Sequence, residues 1–304
     1  MTVTANPPTE ADVSAALEVI RPYVRRTPVL EAVVDGRTVL LKLEHLQRSG
    51  SFKFRGAMNA LLSRPTAEHV VTASGGNHGL ALATAARLLD RPATVVVPIR
   101  TPEGKARRIE ATGALLIRTG THYAEAAAAA TALAERPGHH YVHAYNDPAV
   151  IAGQGTAALE VIADHPDVDA VAIAVGGGGL AAGTALALAG RLTVAVEPQH
   201  CQALADALAA GRPVDSPVES VASSALGATR TGELAFSVLS RRPVASVLVS
   251  DAELLAARDR LWEEFRLAVE PAAAVPFAAW LAGRVPGERP CVVLCGANTD
   301  WTPV

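Results

Sequence analysis

A lone lysine, Lys53, stands between two phenylalanines in the stretch Ser49-Gly50-Ser51-Phe52-Lys53-Phe54-Arg55-Gly56-Ala57. A solvated lysine gains nothing from such neighbours, whereas a nucleophilic lysine gains from an apolar pocket that disfavours its ammonium form. The same letters also suit a helix start with its phenylalanines in the core and its amine in water. Two further stretches offer a different chemistry. Ser74-Gly75-Gly76-Asn77-His78-Gly79 brings a hydroxyl, an amide, an imidazole and exposed backbone N–H groups into six residues, a set suited to a small carboxylate, although Asn77 would also serve as a plain helix cap. Gly176-Gly177-Gly178-Gly179 lets the backbone approach an anion and, ahead of a helix, directs several N–H groups at it. A phosphate is the natural guest, because four consecutive glycines carry an entropic cost that a flexible turn alone does not explain.

Other readings of these residues fit less well. The glycine run lacks the G-x-G-x-x-G spacing of a dinucleotide site, and Glu197, at about the right distance for a ribose ligand, ends a strand as Glu-Pro. No Gly-Lys-Ser/Thr follows Gly179, so the Walker pattern is missing too. His139, His140 and His143 lie in a loop without cysteine or carboxylate partners, a spacing that suits solvated side chains better than a metal.

The elements that must position these groups alternate between strand and helix. Periodicity and capping signals predict a helix over 9–24, extended chain over 26–30, a strand over 39–43, and a helix that Lys53 opens. Strands over 70–73, 93–97 and 114–117 alternate with an alanine-rich helix that follows Gly79 and ends near residue 90 and with helices over 103–111 and 123–135. After a breaker-rich loop at 137–147 the alternation resumes with a helix over 148–163, a continuously apolar strand over 170–175 and a helix from Leu180. Strands follow over 193–197, 246–249 and 291–295, with helices after Ser250 and after Glu270-Pro271. Such alternation implies a doubly wound α/β architecture with largely parallel sheets. Ligands bind at the carboxyl ends of strands in such sheets, and both glycine-bearing turns leave predicted carboxyl ends.

Composition agrees. With half of its 304 residues apolar but only 4% aromatic, the chain must build its core from alanine, valine and leucine, which suits helices on buried parallel strands. A net charge of 27 − 30 = −3 leaves no electrostatic footprint for nucleic acid or an anionic membrane. Three cysteines, Cys201, Cys291 and Cys295, read as reduced thiols of a cytoplasmic protein. Residues 1–10 hold no apolar run of the signal-peptide kind, and no segment reads as membrane-spanning.

Taken together, the motifs resemble the serine/threonine dehydratases, pyridoxal-phosphate enzymes of the tryptophan-synthase β-like fold whose family includes serine racemases. The resemblance covers nearly the whole chain: Ser49 to Ala57, Arg26-Thr27-Pro28, Leu41 to Glu44, Ser74 to Gly79, Gly153-Gln154-Gly155-Thr156, Gly176 to Leu180, Val196-Glu197-Pro198, Glu270-Pro271 and Leu294 to Asn298. It implies a two-lobed enzyme, with a large cofactor-binding domain of residues 1–67 and 146–304 and a small substrate-contacting domain of 68–145, assembled as a homodimer. Lys53 would carry pyridoxal 5'-phosphate and later take the α-proton of a small amino-acid substrate. Phe52 would line the ring pocket, Asn77 hold the ring's 3-oxygen, Gly176, Gly177, Gly178 and Gly179 hold the phosphate, and Cys295 face the pyridine nitrogen. Ser74, with Gly75, Gly76, Asn77 and His78, would hold the substrate carboxylate. The implied reaction is β-elimination from L-threonine or L-serine to a 2-oxo acid and ammonia. Alternatives are a serine racemase, a related lyase for a specialised amino acid, and a non-catalytic cofactor-binding protein.

Departures from the family pattern carry expectations of their own. Racemases place a second serine where this chain has Gly75, which argues against racemisation. The family's Glu-x-x-Ala-Asp appears as Glu219-Ser220-Val221-Ala222-Ser223, so Glu219 is the weak remnant of a cation site. Glu270-Pro271-Ala272-Ala273-Ala274 lacks the usual small polar or glycine step, and the end at Val304 leaves no room for an added regulatory domain.

Overall fold

The computed structural model describes residues 6–299. The chain opens with α1 (Glu10–Ile20), β1 (Val29–Val34), β2 (Arg37–Lys42) and α2 (Lys53–Leu62). Next come β3 (His69–Ala73), α3 (Asn77–Leu88), β4 (Ala93–Val97), α4 (Glu103–Glu110), β5 (Leu115–Arg118), α5 (Tyr123–Ala134) and β6 (His139–Tyr141). The second half runs α6 (Pro148–Asp164), β7 (Ala170–Ala174), α7 (Gly179–Ala187), β8 (Leu192–Pro198), α8 (Ala203–Ala210), α9 (Ser223–Leu226) and α10 (Glu233–Leu239). It closes with β9 (Val244–Val249), α11 (Asp251–Phe265), α12 (Pro271–Leu281) and β10 (Pro290–Val293).

Two sheets form, one in the order β1-β2-β10-β7-β8-β9 and one in the order β5-β4-β3-β6. Every pairing is parallel except β1 with β2, so the α/β architecture read from the sequence is the one adopted. β7 is buried along its length, as its unbroken Ala-Val-Ala-Ile-Ala requires. Capping agrees as well: Thr9 with Asp12 and Ser250 with Glu253 each close a reciprocal capping box. None of the described helices is long and apolar enough to cross a membrane. The residues 1–5 and 300–304 that the expected large domain includes, Val304 among them, lie outside the described residues.

The structure departs from expectation in three places. β1 and β2 form an antiparallel hairpin through Asp35-Gly36, both at positive φ (51° and 73°), where the sequence reading took two separate extended stretches. An Asp-Gly pair flanked by β-branched residues is the turn signal that marks it. α1 stops at Ile20 rather than near residue 24, because Pro22 has no N–H to continue the ladder. The expected loop around His139 and His140 is in part strand β6, whose His139 stacks on His69 at 4.5 Å between ring centroids. An edge strand has one free side, which lets it carry polar residues.

One helix places the glycine run and the lysine relative to one another. A Cβ on Gly153 of α6 would lie 2.7 Å from the Gly56 Cα of α2, and one on Gly155 would lie 2.5 Å from the Gly183 carbonyl of α7. The Gly56 N–H donates to Gln154 Oε1 at 3.1 Å. The sequence Gly153-Gln154-Gly155-Thr156 is thus the crossing point at which α6 holds both α2, with Lys53 at its start, and α7, with the glycine run at its start.

Under α2 lies a fully buried ion network. The Arg55 guanidinium donates to Glu44 (Nε–Oε2 2.8 Å, Nη2–Oε1 2.7 Å) and to Glu160 (Nη1–Oε1 2.8 Å, Nη2–Oε2 2.8 Å). Lys42 Nζ donates to Glu160 Oε2 at 2.6 Å and to the Thr27 carbonyl at 2.7 Å, while the Thr27 hydroxyl donates to Glu44. Burial alone would raise the Glu44 pKa, but the adjacent Arg55 charge overrides it and holds the carboxyl below its usual range. Two cations balance two carboxylates, and the network fixes the first turn of α2 from beneath.

Candidate active site

Lys53 is the first residue of α2, half-buried, with its Nζ 3.0 Å from the Ala144 carbonyl and 5.1 Å from the centroid of the Phe52 ring. Burial lowers its pKa to about 8, against the opposing pull of Cys295 and Glu270. Of the chain's three lysines, Lys42 is locked in the ion network and Lys105 lies on α4, so Lys53 alone combines an apolar surround with a readily deprotonated amine. Phe52 is buried, and its N–H donates to the Cys295 carbonyl at 3.0 Å, which ties the lysine segment to the end of β10. The Cys295 thiol is buried beside Lys53 and Glu270, and burial keeps it protonated.

The Ser74–Gly79 turn leaves the carboxyl end of β3 and becomes α3 at Asn77. Ser74 Oγ accepts the Gly76 N–H at 3.3 Å. Gly75 packs against Thr101, with a Cβ there falling 2.8 Å from the Thr101 methyl, and Gly76 faces the Ser224 carbonyl. Asn77 Nδ2 donates to Glu270 Oε1 at 2.6 Å, while Asn77 Oδ1 is buried with no partner. His78 is buried behind the turn with Nε2 3.2 Å from the Val142 carbonyl, and burial with the nearby Lys53 lowers its pKa to about 3. A neutral imidazole donating from Nε2 satisfies that contact.

The glycine run leaves β7 and becomes α7. Gly178 adopts φ +90°, a conformation only glycine takes without strain. A Cβ on Gly177 would enter the Tyr145 ring at 2.3 Å, and one on Gly176 would press on Leu226 at 3.1 Å. The first N–H groups of α7 have no acceptor within the helix. Beside them Thr231 Oγ1 is buried and unpartnered, its methyl carbon 3.3 Å from where a Gly178 Cβ would stand. Unspent donors around a cradle that no side chain can fill fit a phosphate.

The remaining candidates are placed elsewhere. Glu197 is buried and caps α8, accepting from the Leu204 and Ala205 N–H groups at 2.8 and 2.9 Å, and burial raises its pKa to about 7. Glu219 is exposed, its N–H donating to the His200 carbonyl. Among the described residues there is no group of three or more His, Cys, Asp or Glu that could hold a metal ion. Sequence reasoning missed the Ala144 carbonyl, the Tyr145 ring and Thr231. It placed residues 137–147 as a boundary loop, and only the return of that loop past Lys53 and the glycine run brings Ala144 and Tyr145 into the site. It named Glu270 only within the Glu270-Pro271 motif and gave its side chain no role. No spacing signal marks Thr231.

A site of this kind, a half-buried lysine beside a glycine cradle on a two-sheet, largely parallel α/β frame, defines a class. Residues 20–296 match the family described as pyridoxal-phosphate dependent enzyme. The chain is 37% identical over 297 residues to an L-threonine ammonia-lyase of Geobacter sulfurreducens, covering 92% of this chain and 73% of the relative. It is 34% identical over 300 residues to a serine racemase of Arabidopsis thaliana, covering 92% and 90%. Among solved structures, a T.th. threonine deaminase superposes with a TM-score of 0.91 at 36% identity, covering 97% of this chain and all of that one. Maize serine racemase gives 0.89 at 29%, covering 97% and 94%. The protein belongs to the fold-type-II, tryptophan-synthase β-like family of pyridoxal-phosphate-dependent enzymes. Its cofactor is pyridoxal 5'-phosphate, and the cradle and lysine described above fit that group.

The depressed pKa of Lys53 has a measurable consequence. We propose that Lys53 is the amine that takes up pyridoxal phosphate; uptake needs its neutral form, whose fraction rises about tenfold per pH unit below its pKa. The attachment rate of cofactor-free protein, followed by stopped-flow absorbance, therefore climbs steeply from pH 6 to 7 and levels off above about 8. A climb continuing toward pH 10 would mean an ordinary lysine.

Proposed function

We propose that the protein is an ammonia-lyase, eliminating the β-hydroxyl of a small amino acid such as L-threonine or L-serine to give a 2-oxo acid and ammonia. The single observation that supports this most is that acid–base groups flank the site unequally: Lys53 is a deprotonatable amine, while Gly75, where a second base would stand, carries no side chain.

The cofactor, when bound, supplies the electron sink that makes the α-proton removable. Lys53 would hold the cofactor through its amine, and once the substrate's amino group displaces it there, the freed Lys53 amine would take the α-proton. The Phe52 ring flanks Lys53 and keeps its surroundings apolar, so the amine stays available near neutral pH. Thr231 and the first N–H groups of α7 would hold the phosphate. The Ser74 hydroxyl and the N–H groups of its turn orient the substrate carboxylate, which fixes the Cα–H bond toward Lys53. The α-proton would pass to Lys53 and the β-hydroxyl would leave with a proton as water; the released enamine then takes up one water to give the 2-oxo acid and ammonia. A cytoplasmic homodimer is the setting that accompanies this reading. The similarly close serine racemase relatives support racemisation as the second reading.

Incubation with a panel of β-hydroxy amino acids, assayed for 2-oxo acid, ammonia and the D-enantiomer, tests the choice. Elimination products should exceed racemised substrate at least tenfold; a predominance of the D-enantiomer would overturn the lyase reading, and no product from any member would defeat both. Adding a hydroxyl at position 75 should shift the ratio toward racemisation. Because a side chain there collides with Thr101, the variant to make is Gly75→Ser with Thr101→Ala. An unchanged ratio in that pair would remove the argument from Gly75.

A further inference from the structure

Glu270 is placed where its helix does not use it. It is the N-cap residue of α12, yet its side chain makes no capping bond to that helix. An N-cap side chain ordinarily accepts from the N–H groups of the first turn. Instead the carboxyl group turns into the site, filling the gap left by Gly296, where a Cβ would lie 2.3 Å from Glu270 Oε1. The Glu270 backbone N–H donates to the Gly296 carbonyl at 3.1 Å, which fixes the residue there. Its side-chain partner is Asn77, from the helix that follows β3 of the other sheet. That contact leaves Asn77 Oδ1 buried with nothing to accept from. A buried orphan acceptor costs on the order of a lost hydrogen bond, so a ligand donor is expected there.

The two ends of an amide are not equivalent, and a carboxyl group can select between them. An ionised carboxylate only accepts, so it must face the amide NH₂. A protonated carboxyl can donate, and can therefore face the amide oxygen instead. We propose that Glu270 is a positioning residue that decides which end of the Asn77 amide faces the interior: ionised Glu270 turns the acceptor Oδ1 inward, and protonated Glu270 lets the amide reverse and turn its NH₂ inward. The site then offers an acceptor to a hydroxyl at one pH and a donor to an anionic oxygen at another. The ring oxygen of pyridoxal phosphate is a group of this type and takes part in the cofactor's absorbance. The inference thus rests on Asn77 facing the bound cofactor, and not on whether the reaction is elimination or racemisation.

The electrostatics place the change in an accessible range. Burial raises the Glu270 pKa to about 6, opposed by the bond from Asn77 and by Lys105 and Lys53. The titratable groups that face it are Lys53 at the start of α2, Lys105 on α4 and Cys295 beyond β10. The thiol stays protonated throughout, and the Lys53 amine bears the cofactor in the holoenzyme.

The experiment is a pH titration, from 5 to 8, of the visible absorbance of the full-length holoenzyme. Wild type should show a transition with its midpoint near 6. Glu270→Gln, whose amide satisfies either orientation of Asn77 without a charge, should abolish the transition while the band remains. A transition that persists unchanged in Glu270→Gln, or its absence from wild type, would overturn the proposal. If Glu270→Gln does not retain cofactor, Asn77→Ala decides the matter: with no amide to reverse, the transition near pH 6 should disappear while the band remains, and a transition that persists in Asn77→Ala would overturn the proposal. A purely structural role for Glu270 would lower stability without removing any transition. The band itself reports attachment of the cofactor and the turnover assay reports the reaction, so failure of either earlier reading is seen separately from failure of this one.

Discussion

In Lys53→Ala the visible absorbance band of the loaded protein is absent, and turnover of every amino acid in the panel falls by at least ~10⁴-fold, the range expected when a nucleophile and a general base are lost together. The size of the effect follows from the lack of a substitute. Lys42 is held by Glu160 and the Thr27 carbonyl beneath α2 and cannot reach the site, and Lys105 belongs to a different helix. The fold itself should survive. The substitution removes one hydrogen bond, to the Ala144 carbonyl, together with an amine whose charged form is disfavoured there, so far-ultraviolet circular dichroism and the denaturation midpoint should stay close to wild type. Primary amines added in solution should restore part of the turnover, because the missing group is a base of simple chemistry in an otherwise intact pocket. A Lys53→Ala protein that keeps the band would show that the cofactor is carried elsewhere.

Arg55→Leu should be the most destabilising single substitution near the site, costing about 3–5 kcal/mol, the range seen when one partner of a buried ion pair is removed. Arg55 is fully buried and makes two bidentate contacts, so its loss leaves Glu44 and Glu160 facing each other with only Lys42 to balance them. The penalty comes chiefly from the stranded carboxylates rather than from the lost attraction. Replacing Glu44 by Gln in the same chain removes one of those charges, and the double variant should therefore recover part of the stability. Urea denaturation of the three proteins checks this. A cost below about 1 kcal/mol for Arg55→Leu would mean that the network is a tolerated ornament rather than the support of α2.

How much of this was legible in the sequence depends on the range of the interaction concerned. The run Ala170–Ala174 betrays its buried parallel strand because both faces need apolar residues, and Gly178 betrays its turn because only glycine takes φ +90° without strain. Lys53 was legible as a candidate only: its apolar neighbours left a nucleophile and a plain helix start both open, and the structure places it first in α2 with a depressed pKa. Long-range contacts were not. Ala144 bonds Lys53 across 91 residues, Glu270 bonds Asn77 across 193, and nothing in the local pattern of either partner announces the other. The hairpin at Asp35-Gly36 is a different case, since its signal lay in plain view and was outweighed by the parallel pattern around it. Glu197, discounted as a ribose ligand because it ends a strand as Glu-Pro, serves local structure, its carboxylate capping α8.

The central claim is that Lys53 carries the cofactor. The most direct measurement is borohydride reduction of the holoenzyme, which fixes the cofactor to whichever amine bears it, followed by proteolysis and mass spectrometry of the lysine-containing peptides. With only Lys42, Lys53 and Lys105 in the chain, the assignment is unambiguous among side chains. The account predicts the added mass on the peptide containing Phe52-Lys53-Phe54 and on no other. Added mass on the peptide carrying Lys42 or Lys105, with the Lys53 peptide unmodified, would contradict it.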